Sequence, residues 1–285
     1  RHTTVRKTQH NNNCLFTFQH YRKIVQMISN LFRNHPRIQN VDYSTSHTLD
    51  DCLNNTTDDQ ANKIRFHKVG IPEAVHADKS CFVLDYVLSS HECDKTIAKT
   101  EKSGFRQALV NVGGGEMLIQ DYRNSDRCII DDHTFAQTIF ERIKDKLPET
   151  IEGPDRCTWK VKGLNERMRI LRYEAGHFFA EHRDGAYGRN RNEQSFLTIM
   201  IYLNDGNKDF VGGATNFVAS PQGGRIHRII SEVVPRTGMV LVFDHRLNHE
   251  GARLFSGKKY AIRTDVMYER IDKEATATPE TDMMS

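Results

Sequence analysis

The feature that most constrains this chain is the series of short apolar segments that begins after Pro154. Trp159 to Tyr173 alternates, and Phe196 to Leu203 is a compact apolar run closed by the turn signal Asn204-Asp205-Gly206. Val233 to Phe243 and Tyr260 to Tyr268 complete the set, punctuated by Gly212-Gly213 and Gly223-Gly224. Runs of β-branched and aromatic residues bounded by Gly, Asn and Asp predict strands. Ahead of them lie one more strand, Phe82 to Leu88, and two helices. Ser89-Ser90-His91-Glu92 is a helix start, and that helix is expected to reach about Lys102 and stop at Gly104. Phe135, Ile139, Ile143 and Leu147 recur every four residues, with Pro148 ending the second helix. Two helices followed by many short strands predict a mainly β fold with flanking helices, either an antiparallel sandwich or a barrel.

The chain has 285 residues, 38% of them apolar, enough for a sizeable core. Residues 1–65 differ from the rest. They hold nine Asn, nine basic and five acidic residues, and predict a polar, slightly basic N-terminal extension. Tyr21, Val25, Ile28 and Phe32 recur within it at helical spacing, so one amphipathic helix is expected, either docked or serving as a partner-binding arm. Residues 66–285 form the expected domain, with its strand core at about 155–270. With the overall charge at +3, this domain is close to neutral, so no nucleic-acid partner is expected. Mean hydropathy is −0.62 and no apolar run approaches the roughly 18 residues of a membrane helix, so no membrane segment is expected.

Six cysteines (Cys14, Cys52, Cys81, Cys93, Cys128, Cys157) lie far apart without a CxxC pair, which removes zinc-ribbon and thioredoxin-like readings. They read as small apolar residues, with one or two disulfides left open for a secreted chain. A cytoplasmic location is expected. The secretory pathway stays open because the sequence begins at Arg1 rather than Met, while the sequons at Asn54-Asn55-Thr56-Thr57 move the question little.

The chemistry-bearing pattern is a His-x-Asp pair, His182 and Asp184. On an extended strand residues i and i+2 share a face, so an imidazole and a carboxylate converge there. His249, shortly after the apolar Val240-Leu-Val-Phe243, supplies a second imidazole. Two His and one carboxylate suit non-haem Fe(II) and leave positions open for a bidentate cosubstrate and O₂. His245 competes with His249 for that place. His177, five residues before His182, is expected to face away.

Lys259, Ala261 and Arg263 share one strand face. A cation inside a barrel is costly unless an anion meets it, and a dicarboxylate spanning metal and cation fits. Lys259 and Arg263 stand about 13 Å apart on a strand and cannot hold one carboxylate together, so both remain candidates. Arg169 shares strand parity with Tyr173 and is a further cation able to face the interior. Gly113-Gly114-Gly115 lacks a following Lys-Ser/Thr and reads as a turn, not a nucleotide loop. Tyr122 to Arg127 reads either as a solvated loop or as a place for substrate contacts.

Taken in order, Tyr173-x-x-Gly176-His177-Phe178, His182-x-Asp184, Tyr202-Leu203-Asn204-Asp205, Gly212-Gly213-x-Thr215-x-Phe217, Pro235-x-x-Gly238, Phe243, His249 and Gly257-x-Lys259-Tyr260 resemble the prolyl 4-hydroxylase-type branch of the Fe(II)/2-oxoglutarate dioxygenases. The resemblance spans about residues 80–270. It implies a double-stranded β-helix (jelly-roll) core, with His182, Asp184 and His249 as iron ligands. Lys259, ten positions after His249, matches the basic residue that holds the far carboxylate of 2-oxoglutarate, an offset that favours His249 over His245. Tyr173 matches a tyrosine lining the cosubstrate pocket, and Arg263 is the second candidate for the carboxylate. The implied activity is hydroxylation of an organic substrate, a peptidyl proline in the branch's namesake, with 2-oxoglutarate and O₂ consumed and succinate and CO₂ released. Ascorbate is the implied reductant. The expected partner is a protein or peptide, or a small molecule such as a free amino acid. A jelly-roll protein that binds metal and 2-oxoglutarate without catalysis is the reading from another class.

Overall fold

Eight strands pair into two facing antiparallel sheets in the computed structural model, which describes residues 48–54, 63–72, 78–111, 116–154, 156–219 and 227–271. In the larger sheet Arg167–Tyr173, Lys259–Ile271, Glu193–Tyr202 and Val240–Asp244 lie side by side in that order. The smaller sheet runs Phe179–His182, His249–Gly251, Thr215–Val218, Ile229–Val233. Apart from the hairpin of Thr215–Val218 with Ile229–Val233, successive strands shuttle between the sheets, the winding of a double-stranded β-helix. Cys81–Asp85 and Arg65–Lys68 extend one edge of the larger sheet, and Asp126–Asp131 with Arg106–Gln107 extend the other. The helix expected between Leu15 and Phe32, and the Gly113 and Gly223 turns, lie outside the described residues.

The larger sheet is buried on both faces, which explains why its strands read as unbroken apolar runs rather than clean alternation. Val240, Val242, Ile199, Ile201 and Ile262 pack outward beneath the two helices. Leu241, Phe243, Met200, Tyr202 and Ala261 point inward and meet Phe217 and Val233 of the smaller sheet.

The first helix is Ser90–Ser103, closed by a reciprocal capping box between Ser89 and Glu92 and stopped by Gly104 at φ 84°. The second, His133–Ile143, starts one turn's edge before the expected Phe135. The Asp132 side chain caps it by accepting from Phe135 N at 2.8 Å. Its α-helical part ends at Ile143 and a 3₁₀ turn, Lys144–Lys146, completes the run toward Leu147.

Two expected strands divide. Trp159 to Tyr173 becomes Thr158–Leu164 and Arg167–Tyr173, both on one edge of Lys259–Ile271. At the break Asn165 Oδ1 accepts from Arg167 N at 3.0 Å and Asn165 O accepts from the Thr264 hydroxyl at 2.7 Å. Val233 to Phe243 splits at Pro235, which cannot donate to a ladder, and the chain crosses from the smaller sheet to the larger. Gly238 completes that crossing at φ 74°, where an added Cβ would stand 1.9 Å from Leu88 O.

The polar segment expected to stay outside the domain as far as residue 65 enters the core earlier. Leu49 and Cys52 are buried in the same cluster as the helices, and the reason is a polar clamp around Arg142. Its guanidinium, buried on the second helix, donates to Glu92 at 2.7 and 3.2 Å, to Asn54 O at 2.7 Å and to Val87 O at 2.9 Å. Both helices and residues 48–54 are thus tied to one charge. Arg142→Ala would leave the buried Glu92 carboxylate unpaired and is expected to cost about 3–5 kcal/mol in urea unfolding. A loss under about 1 kcal/mol, the range of an exposed pair, would contradict the clamp.

Candidate metal and cosubstrate site

The site grows from one register. His182 and His249 sit directly opposite each other in the smaller sheet, and Asp184 follows two residues on, just past its strand. The ligand atoms of all three lie within 4.8 Å of one another. His182 Nε2 is 3.8 Å from one Asp184 oxygen and His249 Nε2 is 3.7 Å from the other.

Backbone carbonyls choose the tautomers. His182 Nδ1 faces Ala180 O at 2.7 Å and His249 Nδ1 faces Leu247 O at 3.0 Å. A carbonyl only accepts, so each Nδ1 carries the proton and each Nε2 turns its lone pair to the centre. Burial, joined for His182 by the neighbouring His249, pushes both imidazoles below their ordinary range, so they stand neutral. Burial works against the Asp184 carboxylate. Arg263 first, and with it the Thr198 hydroxyl, outweigh it and hold the carboxyl well below the usual carboxylate range.

Asp184 is oriented from both sides. Arg263 reaches one oxygen at 3.1 Å and Thr198 donates to the other at 2.6 Å. Thr198 has a single proton, so its oxygen must accept from His245 Nδ1 at 2.9 Å, and His245 Nε2 then accepts from Ser195 Oγ at 2.9 Å. Ser195 Oγ accepts in turn from Tyr187 N at 2.8 Å. His245, the competitor for the distal position, therefore has both ring nitrogens engaged away from the centre. His177 stays outside too, its Nδ1 accepting from Glu174 N at 3.1 Å. Sequence reasoning missed Ser195 and Thr198. The signal was there in polar residues interrupting an apolar strand, but such positions usually mark solvent-facing sides.

Lys259 lies opposite Tyr173 in register and is 2% exposed. Its ammonium donates to Gly213 O at 2.6 Å and hangs 5.2 and 5.5 Å from the rings of Tyr173 and Tyr202. Gly213 permits that approach: at φ 66°, an added Cβ would meet Leu254 at 2.7 Å and Lys259 Cδ at 3.3 Å. Burial pushes the Lys259 pKa down to about 7. Arg263, the alternative candidate for the cosubstrate carboxylate, spends one terminal nitrogen on Asp184 at 3.1 Å and Asp265 at 3.2 Å. Arg169 pairs with the same Asp265 at 3.5 Å. Cys52, Cys81, Cys93 and Cys128 are buried and free.

The stretch Tyr122 to Arg127 lies along the strand that carries His182. Tyr122 O accepts from Ala180 N at 2.8 Å, and Asn124 Oδ1 accepts from Phe178 N at 2.7 Å.

Two neutral imidazoles and one carboxylate form a donor set suited to ferrous iron, and a nearly unpaired buried ammonium suits an anion. Within a double-stranded β-helix, this arrangement fits the site of a non-haem Fe(II) oxygenase. Residues 168–264 match the 2OG-Fe(II) oxygenase superfamily. Prolyl 4-hydroxylase 2 of Arabidopsis thaliana is 25% identical over 229 residues, covering 71% of this chain and 72% of that protein. Probable prolyl 4-hydroxylase 4 of the same plant matches to the same extent, 25% over 229 residues. Among solved structures, the viral collagen prolyl hydroxylase of Paramecium Bursaria Chlorella virus-1 aligns with TM-score 0.42 at 22% identity, over 67% of this chain and 96% of that one. A Trichoplax adhaerens prolyl hydroxylase, solved with a hypoxia inducible factor peptide fragment, aligns with TM-score 0.43 at 14% identity, over 90% and 94%. The matched segment, these relatives and the triad together support a dioxygenase similar to the prolyl hydroxylase-type 2OG-Fe(II) oxygenases, a family that implies Fe(II), 2-oxoglutarate and O₂. Among the described residues no helix is long and apolar enough to cross a membrane.

Thr198→Val removes the donor on Asp184 and is expected to weaken Mn(II) binding about 10–100-fold by titration calorimetry, whereas Thr198→Ser retains it. Equal affinity in Thr198→Val and the parent would show that the relay does not orient the carboxylate.

Proposed function

We propose that this protein hydroxylates a peptidyl proline, coupling the reaction to conversion of 2-oxoglutarate and O₂ into succinate and CO₂. His182, Asp184 and His249 would hold Fe(II) through Nε2, a carboxylate oxygen and Nε2. Lys259 and Tyr173 would receive the far carboxylate of 2-oxoglutarate. Bound iron with its cosubstrate supplies the oxidative decarboxylation and the oxidant for an unactivated C–H bond. Every other task belongs to side chains. Thr198 and Arg263 fix Asp184, the Nδ1 anchors fix the imidazoles, and Phe217 and Phe243 against His249 exclude water from that flank. Ascorbate is the proposed reductant that keeps the iron ferrous.

The observation that carries this reading is the buried Lys259 ammonium, whose hydrogen-bond partner is one carbonyl, in the same interior as the triad. A dianionic cosubstrate offsets the cost of burying that charge. The proline assignment is supported by the prolyl 4-hydroxylases among the relatives.

His182→Ala and Asp184→Ala are expected to abolish succinate formation from 2-oxoglutarate with circular dichroism unchanged; parent-like rates in both would overturn the ligand assignment. Lys259→Ala is expected to raise the KM for 2-oxoglutarate about 10–100-fold, the loss of a charge-assisted hydrogen bond. With its pKa near 7, Lys259 is charged below neutrality and increasingly neutral above it. The parent's KM should therefore climb as pH rises past about 7, and binding there should take up a proton, read as a buffer-dependent heat. A KM that stays constant from about pH 6 to about pH 9, the span over which Lys259 changes charge, would contradict it.

A further inference from the structure

The buried charges around the site pair off, with two exceptions, Lys259 and Arg123. Asp184 and Asp265 engage Arg263 and Arg169, Glu116 engages Arg127, and Glu101 with Asp126 engages Arg172. Lys259 awaits the cosubstrate under the function proposed above. Arg123 is 9% exposed and has no carboxylate partner among the described residues. Its Nε donates to Ser125 Oγ at 3.2 Å, a hydroxyl that also hydrogen-bonds the Tyr173 side chain. Its guanidinium carbon lies 4.5 Å from the centroid of Phe179, and that ring stacks 3.7 Å from the ring of His182. Arg123 is therefore held at its Nε and by its flat face, beside a candidate iron ligand. Its two terminal nitrogens are left without a partner among the described residues.

A guanidinium immobilised in this way is a planar two-donor fork, the geometry that carboxylates fit side by side. Arg123 is only 9% exposed, so leaving the fork without a counter-charge is costly, and an anion arriving from its open side would complete it. Neither carboxylate of 2-oxoglutarate is spare when one end goes to the metal and the other to Lys259. Burial lowers the Arg123 pKa to about 10, so the group remains a cation at neutral pH.

We propose that Arg123 is the receptor for a carboxylate on the organic substrate, so that the enzyme selects acid-bearing substrates over their amides. This rests on the function proposed above. The carboxylate has two sources: the free C-terminal carboxyl of a hydroxylated residue that ends its peptide, for which L-proline is the minimal probe, or an acidic side chain next to it.

Calorimetry with the full chain, Mn(II) and 2-oxoglutarate separates them without turnover. The probes are L-proline against L-prolinamide, peptides ending in proline as free acid against amide, and amidated peptides containing Asp-Pro against Asn-Pro. At least one acid is expected to bind about tenfold or more tightly than its amide, as a charge-assisted pair implies. A preference in the first two pairs identifies a carboxyl terminus, and a preference in the third identifies an acidic neighbour. Arg123→Gln is expected to abolish the preference and Arg123→Lys to keep part of it. Equal binding of acid and amide in every pair sinks the proposal on the parent protein alone, whatever the variants do. So does a preference that survives Arg123→Gln, or an Arg123→Gln defect confined to 2-oxoglutarate binding, which would hand the residue to the cosubstrate. Failure of the broader function shows separately, as absent succinate formation with these probes in the presence of Fe(II).

Discussion

One carboxylate organises this molecule. Asp184 is taken out of water between two imidazoles, a state it can hold ionised only because Arg263 and Thr198 meet its two oxygens. Each supporting group comes from a different strand of the larger sheet, and each imidazole from the smaller one. The two-layer winding is what brings them together. Pulling the sheets apart by the width of a side chain would leave a buried charge with no partner, so the packing of the core and the geometry of the site are one constraint.

The same interior is rich in cations. Arg169, Arg263, Arg123 and Lys259 stand against Asp184 and Asp265, and their excess positive charge is what an anionic cosubstrate and substrate would neutralise. The cations are not interchangeable. Arg263 is committed to orienting Asp184, while Lys259 sits at the deep end between two tyrosine rings with one carbonyl for company. That division separates in role the two residues that strand parity alone placed on the same face.

Much of this was legible beforehand. Ser89 and Glu92 announced a helix start because a capping box is a local transaction between residues three apart, and Gly104 announced its end for the same reason. His182 and Asp184 were legible as a pair since their convergence needs only an extended backbone. Less local features were lost. The break at Asn165 and the sheet crossing after Val233 look like continuous strands to a reader of periodicity, because both flanking segments are apolar. The insertion of Leu49 and Cys52 was hidden by their polar neighbours, and the anchor that draws them in, Arg142, lies far along the chain.

By itself, then, the sequence determined the kind of fold and the kind of chemistry: strand-forming runs of the right length, two imidazoles, a carboxylate and a lysine at telling offsets. These depend on backbone period and side-chain type, which are properties of neighbours in sequence. Only the tertiary structure decided which histidine stands aside, which cation serves Asp184 and which is left with a single carbonyl partner. Those outcomes turn on hydrogen-bond partners such as Ser195 and Thr198 for His245, or Asp265 for Arg263. Such partners are fixed by register between strands distant in the chain, where a shift of one residue would turn every side chain to the opposite face.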